Sequence, residues 1–588
     1  MIQILHAARA RKSSGAVRWI YLGKGTDGYL RAKQRLGTPS EWLYDSKLLE
    51  VSEQLRQPFL DFVAAVGKEQ KDPLAWWSTR FSWKRWTASD LFLLICYLGV
   101  AQSCIEEARK KKFELLIVVE DPWLLRQLRE NLGTGADLQM ERVSVAWVPA
   151  QQILLGAARR AKWLAVTGLN YLRQRGAWPH PGLPAPSGPA AGIASYASQS
   201  AFESPGRWRD VYLPELDRLL AGQGLEIIRF IAPENGGWHR QIGERSSFVY
   251  PLILWATGGR VLRSLCAFCR PRWPRDLSVG GHPVRWLCLR EAWLEAGRAS
   301  LCGYRLYYEC LRGMLSKGRW RHLISFYENQ PWEKLQVLAA RAAGVKTVGI
   351  QVSLFSRFYL AHALGKGEEQ RLPLPDLLGS SGEAARKIWV ESGFPPASLR
   401  LCGAVRYPDL AQRLRNRKGS LPEMEQRSRV LVVLPIDPDL IRHLLGALAR
   451  AFPDGGVSDG IRFLIRPHPI YPVSRSWIPF PAELARTTST NLKEDLLSCG
   501  VVLFAGSTVG LEALAEGKTV LRYRSPRLFD LDDSYGSLVP VATDSDLRER
   551  LLACVRGDPA PCNLDEAARM VSDYFSPVDQ EQLMALFP

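Results

Sequence analysis

The sequence predicts an α/β protein with two doubly wound, Rossmann-like lobes and an N-terminal α/β extension. Short runs rich in β-branched residues alternate with amphipathic segments over most of the 588 residues, which is typical of parallel sheets covered by helices. Two of these runs stop at Pro467 and at Gly506, as buried strands commonly do. The chain is also long enough for two or three domains, each with its own core.

Three sections follow one another along the chain. Residues 1–177 form the extension, residues 193–412 the N-terminal lobe, and residues 429–580 the C-terminal lobe. The strands predicted most clearly for these sections are Leu115–Glu120, Leu225–Ile231, His322–Tyr327, Thr347–Gln351, Val430–Leu434 and Thr519–Tyr523. Helical patterns separate them, so each lobe is predicted to be a parallel sheet with crossover helices.

The C-terminal lobe contains the most informative pattern of the chain. One predicted strand ends at Arg466-Pro467-His468-Pro469, and another passes through Gly506-Ser507-Thr508 into the helix Val509–Glu516. A small polar turn between a strand and a helix places backbone N–H groups at the carboxyl edge of a parallel sheet, where phosphate groups bind. The sequence therefore predicts a nucleotide monophosphate or diphosphate pocket at this edge.

Individual side chains are assigned to this pocket. The prolines beside His468 hold the backbone extended, so its imidazole has a defined direction and can bond a phosphate as a neutral donor or as a cation. Arg466 adds a permanent charge, and the hydroxyls of Ser507 and Thr508 can donate, although either residue could equally be a helix N-cap. Glu512 lies one turn after Thr508 on the same helix face, where it can bind a ribose unless it is a solvated helix glutamate.

Composition indicates the partners and the compartment. Lys and Arg exceed Asp and Glu by 18, which favours anionic partners such as nucleotide sugars, phospholipid surfaces or nucleic acid. Eleven scattered cysteines and the absence of a signal-like segment after Met1 favour a reduced, cytoplasmic setting. The apolar run Leu91–Ala101 is too short to span a bilayer, so a buried helix is expected. The pair Cys266 and Cys269 lacks a second pair, and no metal and no cofactor are expected.

The region Arg260–Arg321 is rich in Arg and Trp. Cations with interfacial aromatic residues suit an anionic membrane surface, and the same composition could hold RNA. A solvated helix face with a few core aromatics explains the region equally well. A peripheral position on the inner face of the cytoplasmic membrane is therefore an expectation, and nucleic acid is a less favoured partner.

The arrangement of RPHP and the later GSTxxxEALAxGKxV resembles the nucleotide-binding half of GT-B glycosyltransferases. It is most similar to bacterial surface carbohydrate and capsule enzymes: sialyl-, polysialyl- and Kdo-transferases and CDP-glycerol glycerophosphotransferases. Weaker similarity extends upstream to Gly403–Tyr407 and to Tyr327–Glu333. The resemblance implies a GT-B-like fold and transfer of a sugar from a CMP- or CDP-type nucleotide donor to a surface glycan or lipid-linked glycan, in capsule or lipopolysaccharide biosynthesis. It places the donor phosphate at His468, Ser507 and Thr508.

The sequence departs from the family pattern at two positions. The first glutamate of the pair found in many retaining enzymes would fall at Phe504, and the histidine that many relatives have after a Gln is Val352 here. A general base must therefore come from elsewhere. Glu328, in the segment ENQPWE after a strand, is the first choice, and Glu120 or Asp121 the second, although each could be a plain helix-start carboxylate. A nucleotide-sugar epimerase of similar fold, or an inactive basic scaffold that binds membrane or RNA, stays open as an alternative.

Overall fold

The computed structural model describes the chain except for 11–16, 38–39, 134–136, 178–185, 187, 196–201, 205–206, 209, 211, 215, 217–219, 221–223, 233–248, 270, 417–423, 470, 472, 482, 489–490 and 559–563. The described residues form three separate parallel sheets, each covered by helices. The α/β class and the parallel sheets predicted from the sequence are confirmed.

The first sheet lies in the N-terminal section. Its strands are β1 (Ile2–His6), β2 (Arg18–Leu22), β3 (Ser40–Glu41), β4 (Leu115–Val119) and β5 (Leu138–Met140). They pair in the order β3-β2-β4-β1-β5. The helices of this section are α1 (Thr26–Leu36), α2 (Asp45–Glu69), α3 (Pro73–Trp77), α4 (Arg80–Trp83), α5 (Leu91–Lys111), α6 (Pro122–Leu132) and α7 (Val148–Ala177).

Helix α5 contains the most apolar stretch of the chain. Its length and composition would allow it to cross a membrane, but 78% of its apolar 18-residue window is buried inside the protein. Leu91, Ile95 and Leu98 on this helix are almost fully buried. The predicted core helix is therefore confirmed, and it extends beyond the run Leu91–Ala101 to Lys111.

The second sheet has seven strands. Its section contains β6 (Pro189–Ser195), β7 (Phe202–Ser204), β8 (Arg207–Trp208), β9 (Glu226–Ile231), β10 (Val249–Pro251), β11 (Ser278–Val279), β12 (His282–Pro283), β13 (Arg319–Phe326), β14 (Lys346–Ile350), β15 (Leu377–Ser380) and β16 (Leu399–Leu401). The order is β10-β9-β6-β13-β14-β15-β16, and β7-β8 and β11-β12 form two small antiparallel ribbons. The helices are α8 (Gly258–Leu265), α9 (Arg285–Ala296), α10 (Ser300–Leu315), α11 (Pro331–Ala342) and α12 (Glu383–Glu391).

The third sheet has six strands. They are β17 (Arg429–Val433), β18 (Arg462–Arg466), β19 (Ala485–Thr487), β20 (Val501–Phe504), β21 (Thr519–Tyr523) and β22 (Val541–Ala542). The order β19-β18-β17-β20-β21-β22 reverses direction between β17 and β20, and such a switch point opens a crevice at the carboxyl edge. The remaining helices are α13 (Leu410–Arg415), α14 (Met424–Arg427), α15 (Pro438–Ala451), α16 (Leu492–Ser498), α17 (Val509–Ala515), α18 (Leu547–Arg556), α19 (Leu564–Tyr574) and α20 (Gln580–Met584).

Helix α20 returns from the third sheet to the second. The backbone N–H of Ser576 donates to the carbonyl of Ser381 at 2.8 Å. Beyond this crossing, Leu583 and Leu586 are fully buried in one apolar cluster with Ile193 and Ile324. The core of the second sheet is therefore completed by residues that follow the third sheet in the sequence.

The N-terminal section contacts both of the other sections. The Lys84 ammonium pairs with the Glu368 carboxylate at 2.8 Å, and both side chains are almost completely buried. On the other side, a ring nitrogen of His443 lies 2.7 Å from the carbonyl of Lys24, and the Tyr97 hydroxyl donates to the carbonyl of Arg527. The extension thus forms buried contacts with the sections that contain the second and the third sheet.

Candidate functional site

The carboxyl edges of the second and third sheets face each other. Glu328 follows β13 and Arg406 follows β16, while His468 follows β18. The charges of Arg406 and Glu328 both act on the pKa of His468, so side chains of the two sheets lie within electrostatic reach of one another. The structure thereby brings together two predicted residues, Glu328 and His468, that are far apart in sequence.

Glu328 is surrounded by donors. Its Oε2 accepts from Gln330 Nε2 at 2.9 Å and from Arg85 Nη1 at 3.2 Å, and its Oε1 accepts from the Ser353 hydroxyl at 3.2 Å. Burial alone would raise the pKa of Glu328, but the charges of Arg85 and Arg406 and the hydrogen bond from Ser353 hold it below the ordinary value. The carboxylate is consequently ionised at neutral pH and able to take a proton.

The loop that carries Glu328 is rigidly held. Asn329 has a φ of +53°, a left-handed conformation that asparagine adopts more readily than most residues other than glycine. Its side-chain nitrogen donates to the carbonyl of Ala361 at 2.6 Å. The carboxylate of Glu333 accepts from the backbone N–H groups of Glu328 and Gln330 at 2.9 and 3.3 Å. These hydrogen bonds hold the loop on both sides of Glu328 and so fix the direction of its side chain.

His468 is half-buried at the facing edge. Burial, together with the positive charges of Arg406 and Arg85, lowers the pKa of His468 to about 4. The imidazole is therefore neutral at pH 7 and offers one N–H donor rather than a charge. Arg466, at the end of the preceding strand, forms an ion pair with Asp495, so its charge is already partly compensated.

The Gly506-Ser507-Thr508 turn has an acceptor of its own. The Asp532 carboxylate accepts from the backbone N–H of Gly506 at 2.6 Å and from that of Ser507 at 3.3 Å. Burial raises the pKa of Asp532 to about 7. The sequence did not indicate this carboxylate, and it occupies the backbone donors that were predicted to receive a phosphate. Gly506 has a φ of +59°, which explains why glycine stands at this turn.

Glu512 and Thr508 are linked to the second sheet through Tyr407. The Tyr407 hydroxyl lies 3.3 Å from the Thr508 hydroxyl, and it also bonds the Glu512 side chain. Burial raises the pKa of Glu512, and Arg406 opposes this shift. The predicted ribose ligand is thus a half-buried carboxylate in the facing edges rather than a solvated helix residue.

Arg406 lies at the centre of the arrangement. Its guanidinium lies against the rings of Tyr212 and Tyr407, 5.1 and 5.0 Å from their centroids, and its charge acts on both Glu328 and Glu512. A guanidinium held by aromatic rings is a common phosphate ligand. Sequence reasoning did not assign it to the site, although Gly403–Tyr407 carried part of the family resemblance and could have identified it.

Arg85 is a third residue of the site, after Asp532 and Arg406, that the sequence did not indicate. It lies in a Trp-rich segment after α4, where Trp76 and Trp77 are buried, and the aromatic content of this segment points to packing. Its contact with Glu328 spans 243 residues. The N-terminal section therefore contributes a cation to the site as well as packing.

The second choice of general base lies in the first sheet. Asp121 accepts from the backbone N–H of Trp123 at 2.8 Å, which caps α6, and it accepts from Arg290 at 2.7 Å. Glu120 accepts from the backbone N–H of Gly25 at 2.9 Å. Asp121 thus has the helix-start function that was the alternative, and the described contacts of both residues are within or beside the first sheet.

Several arginines of the basic region Arg260–Arg321 form ion pairs with carboxylates of the protein. Arg290 pairs with Asp121 and Glu291. Trp286 is partly buried and packs against the core, with Arg126 3.7 Å from its ring centroid. Much of this region therefore packs within the protein.

Comparisons with known proteins give similarity to solved structures only. No family model and no curated protein sequence matches the chain. A UDP-GlcNAc 2-epimerase from Neisseria meningitidis bound to UDP-GlcNAc matches with a TM-score of 0.40 and 10% identity, covering 68% of this chain and 99% of that one. The Methanocaldococcus jannaschii UDP-GlcNAc 2-epimerase in complex with UDP-GlcNAc and UDP matches at 0.37 and 9%, covering 65% and 98%. A UDP-N-acetylglucosamine 2-epimerase from Rickettsia bellii matches at 0.38 and 10%, covering 68% and 95%.

Proposed function

We propose that this protein is a glycosyltransferase that moves a sugar from a nucleotide donor of the CMP or CDP type to a bacterial surface glycan. The observation that carries the proposal is the electrostatic cluster of Glu328, Arg406 and His468 between the carboxyl edges of two parallel sheets. Ligands of doubly wound folds bind outside this edge. The cluster combines an ionised carboxylate, a fixed guanidinium and a neutral imidazole, which are the groups that acid–base and phosphate chemistry requires.

In the proposed reaction, Glu328 is the general base. An acceptor hydroxyl loses its proton to the Glu328 carboxylate while its oxygen bonds to the anomeric carbon of the donor sugar. The bond between that carbon and the phosphate oxygen breaks, and its electron pair leaves with the nucleotide. Ser353, Gln330 and Arg85 hold the carboxylate in place through the hydrogen bonds described above.

Departure of the nucleotide depends on neutralising its phosphate. Arg406 supplies a permanent charge, and the neutral imidazole of His468 donates one hydrogen bond, which strengthens as negative charge develops. The hydroxyls of Ser507 and Thr508 lie at the same edge as further donors, and Glu512 is assigned to the ribose. A phosphate that reached the N–H of Gly506 would displace Asp532, whose raised pKa favours the neutral form.

Nucleotide binding and turnover test this proposal separately. Thermal shift with CMP, CDP, UDP and GDP identifies the nucleotide, and we expect CMP or CDP to stabilise the protein most. Arg406→Gln should lose this stabilisation, whereas Arg400→Gln, an exposed arginine on the nearby strand β16, should keep it. Equal shifts in the two variants would contradict the proposed phosphate site.

Release of nucleotide is then measured with and without glycan acceptors. Turnover that requires an acceptor supports transfer. Conversion of a free nucleotide sugar without any acceptor would instead make the protein an epimerase. Binding without any turnover would make it a scaffold.

A further inference from the structure

We propose that helix α7 and the adjoining helix α8 form a docking surface for an anionic phospholipid bilayer. The surface is defined by the exposed side chains Leu154, Leu164, Leu169, Leu172 and Leu262, and we call it the α7 surface. It lies mostly outside the region Arg260–Arg321 that the sequence suggested. The inference does not depend on sugar transfer, because docking is measured without nucleotide or acceptor.

The side of α7 that faces away from the protein is apolar. The helix has 30 residues and is therefore about 45 Å long. Leu154 and Leu172 are 72% and 67% exposed. Between them, exposed Ala158, Ala161 and Ala165 continue the same face at steps of three or four residues. Exposed apolar side chains elsewhere, such as Val457 and Leu497, are far in the sequence from other large exposed apolar residues, and scattered exposed residues of this kind are normal.

The opposite side of α7 is fixed to the protein. Gly156 is buried, and a Cβ atom at this position would lie 2.8 Å from the carbonyl oxygen of Ala296, so the helix approaches α9 closely there. Thr167 and Gln174 on the same side are buried. The helix is thus held in a defined orientation, with one side packed against the protein and its apolar side facing outward.

Charge identifies an anionic bilayer as the occupant. Helix α7 contains no Asp or Glu, and its cations are Arg159, Arg160, Lys162, Arg173 and Arg175. Arg159 and Arg160 donate to the carbonyls of Gly297 and Leu265, while helical spacing places Lys162, Arg173 and Arg175 at the borders of the apolar side. A long helix with one apolar side and a basic border lies in the interface of an anionic membrane, with its apolar side chains among the acyl chains.

A groove beside the helix adds a place for a lipid headgroup. An open cavity of about 330 Å³ lies between α7 and α10, and its lining includes Arg159, Lys162, Trp163, Val166 and Leu306. Its two charged lining residues are both cations, and its remaining walls are largely apolar. This combination fits the phosphate of a phospholipid with the first part of an acyl chain beneath it.

Helix α8 extends the surface. The guanidinium of Arg160 donates to the carbonyl of Leu265 at 2.9 Å, which ties the two helices together. On α8, Leu262 is 63% exposed, and Phe268 shortly after the helix is also exposed. Two amphipathic helices that adjoin in this way provide a broader contact than one helix alone.

Vesicle flotation with the full chain tests the inference. Vesicles of phosphatidylcholine are compared with vesicles that also contain phosphatidylglycerol, at low and at high salt. We expect binding to the anionic vesicles at low salt, little binding to neutral ones, and release at high salt because screening weakens the contact. No binding to anionic vesicles, or equal binding to both kinds, would overturn the proposal.

Matched variants locate the contact. Leu154→Glu combined with Leu172→Glu should reduce the bound fraction by on the order of tenfold, since both side chains leave the acyl region. Val457→Glu combined with Leu497→Glu makes the same chemical change on other exposed surface and should bind like the wild type. Equal loss in both variants, or none in the first, would overturn the assignment. Circular dichroism and melting temperature check folding, and Lys162→Ser with Arg173→Ser gives a second, purely electrostatic test that should weaken anionic binding.

Discussion

Replacing Glu328 by glutamine separates its proposed chemistry from its packing. Glutamine keeps the length and hydrogen-bonding reach of the side chain but cannot accept the acceptor's proton. We expect kcat to fall by about a hundredfold or more for loss of general-base catalysis, which corresponds to about 2.7 kcal/mol in the activation free energy. Nucleotide affinity should stay near that of the wild type, because the phosphate contacts are assigned to other residues.

The structure also predicts a small effect of this change on stability. The carbonyl oxygen of the introduced glutamine can accept from Arg85 and Gln330 as Oε2 of Glu328 does. Its amide nitrogen can donate to the Ser353 hydroxyl, which rotates to accept. What is lost is the charge on these hydrogen bonds, and the difference between charged and neutral hydrogen bonds is about 1 kcal/mol. Urea unfolding should therefore show a decrease of about this size.

Steady-state kinetics with varied acceptor, combined with urea unfolding, show whether Glu328 is the general base. Glu383→Gln is a matched control, because Glu383 is exposed and pairs with Arg386, and it should leave kcat unchanged. If Glu328→Gln retains full kcat and only raises the KM for the acceptor, the side chain orients the loop and is not the base. A loss of several kcal/mol in stability would likewise refute the reasoning about Ser353.

Four further outcomes are expected. His468→Ala should abolish transfer and weaken nucleotide binding while the melting temperature stays unchanged; normal nucleotide affinity with a large drop in melting temperature would show a structural function. Arg406→Gln should raise the pKa of His468 from about 4 toward its ordinary value, because burial and this charge lower it, and NMR titration of the imidazole measures the change. Burial lowers the pKa of His443 from 6.5 to about 3, so its contribution to the free energy of unfolding should decrease as the pH falls below the higher of these values; in His443→Gln the pH dependence measured by urea unfolding should be shallower. Lys84→Met should cost about 3–5 kcal/mol by leaving Glu368 buried and unpaired, whereas the double change with Glu368→Met should recover most of this loss, as a double-mutant cycle can show.

The parts of the fold that depend on local sequence were predictable. Strand β21 has the predicted bounds, and β18 and β20 end where Pro467 and the turn at Gly506 stop them. In these segments a run of β-branched and other apolar residues favours a strand, and a proline or glycine shortly after the run marks its end. Strand β1 of the extension, IQILH, is followed by no proline or glycine that would mark its end, and the sequence indicated the first sheet less clearly.

The assembly of the site depends on contacts between distant parts of the chain. Glu328 and His468 follow strands and could be proposed from their positions. Arg85 could not, because its segment has the composition of a core and its partner lies 243 residues away. Asp532 lies on a loop after β21 and reaches the N–H of Gly506 only through the tertiary fold. Neither the hydrophobic periodicity of the sequence nor the spacing of its motifs predicts contacts of this kind.

The return of α20 to the second sheet has a consequence for the folding of this chain during its translation. While the ribosome is still producing the third sheet, one side of the second sheet lacks the part of its apolar cover that Leu583 and Leu586 supply. Domains generally fold as they emerge, and exposed apolar surfaces of incomplete ones aggregate. The third sheet, although it is synthesised later, can therefore finish folding before the second. A nascent chain halted after Tyr574 would present an apolar patch around Ile193 and Ile324, and chaperones would bind that patch until the missing helix is made.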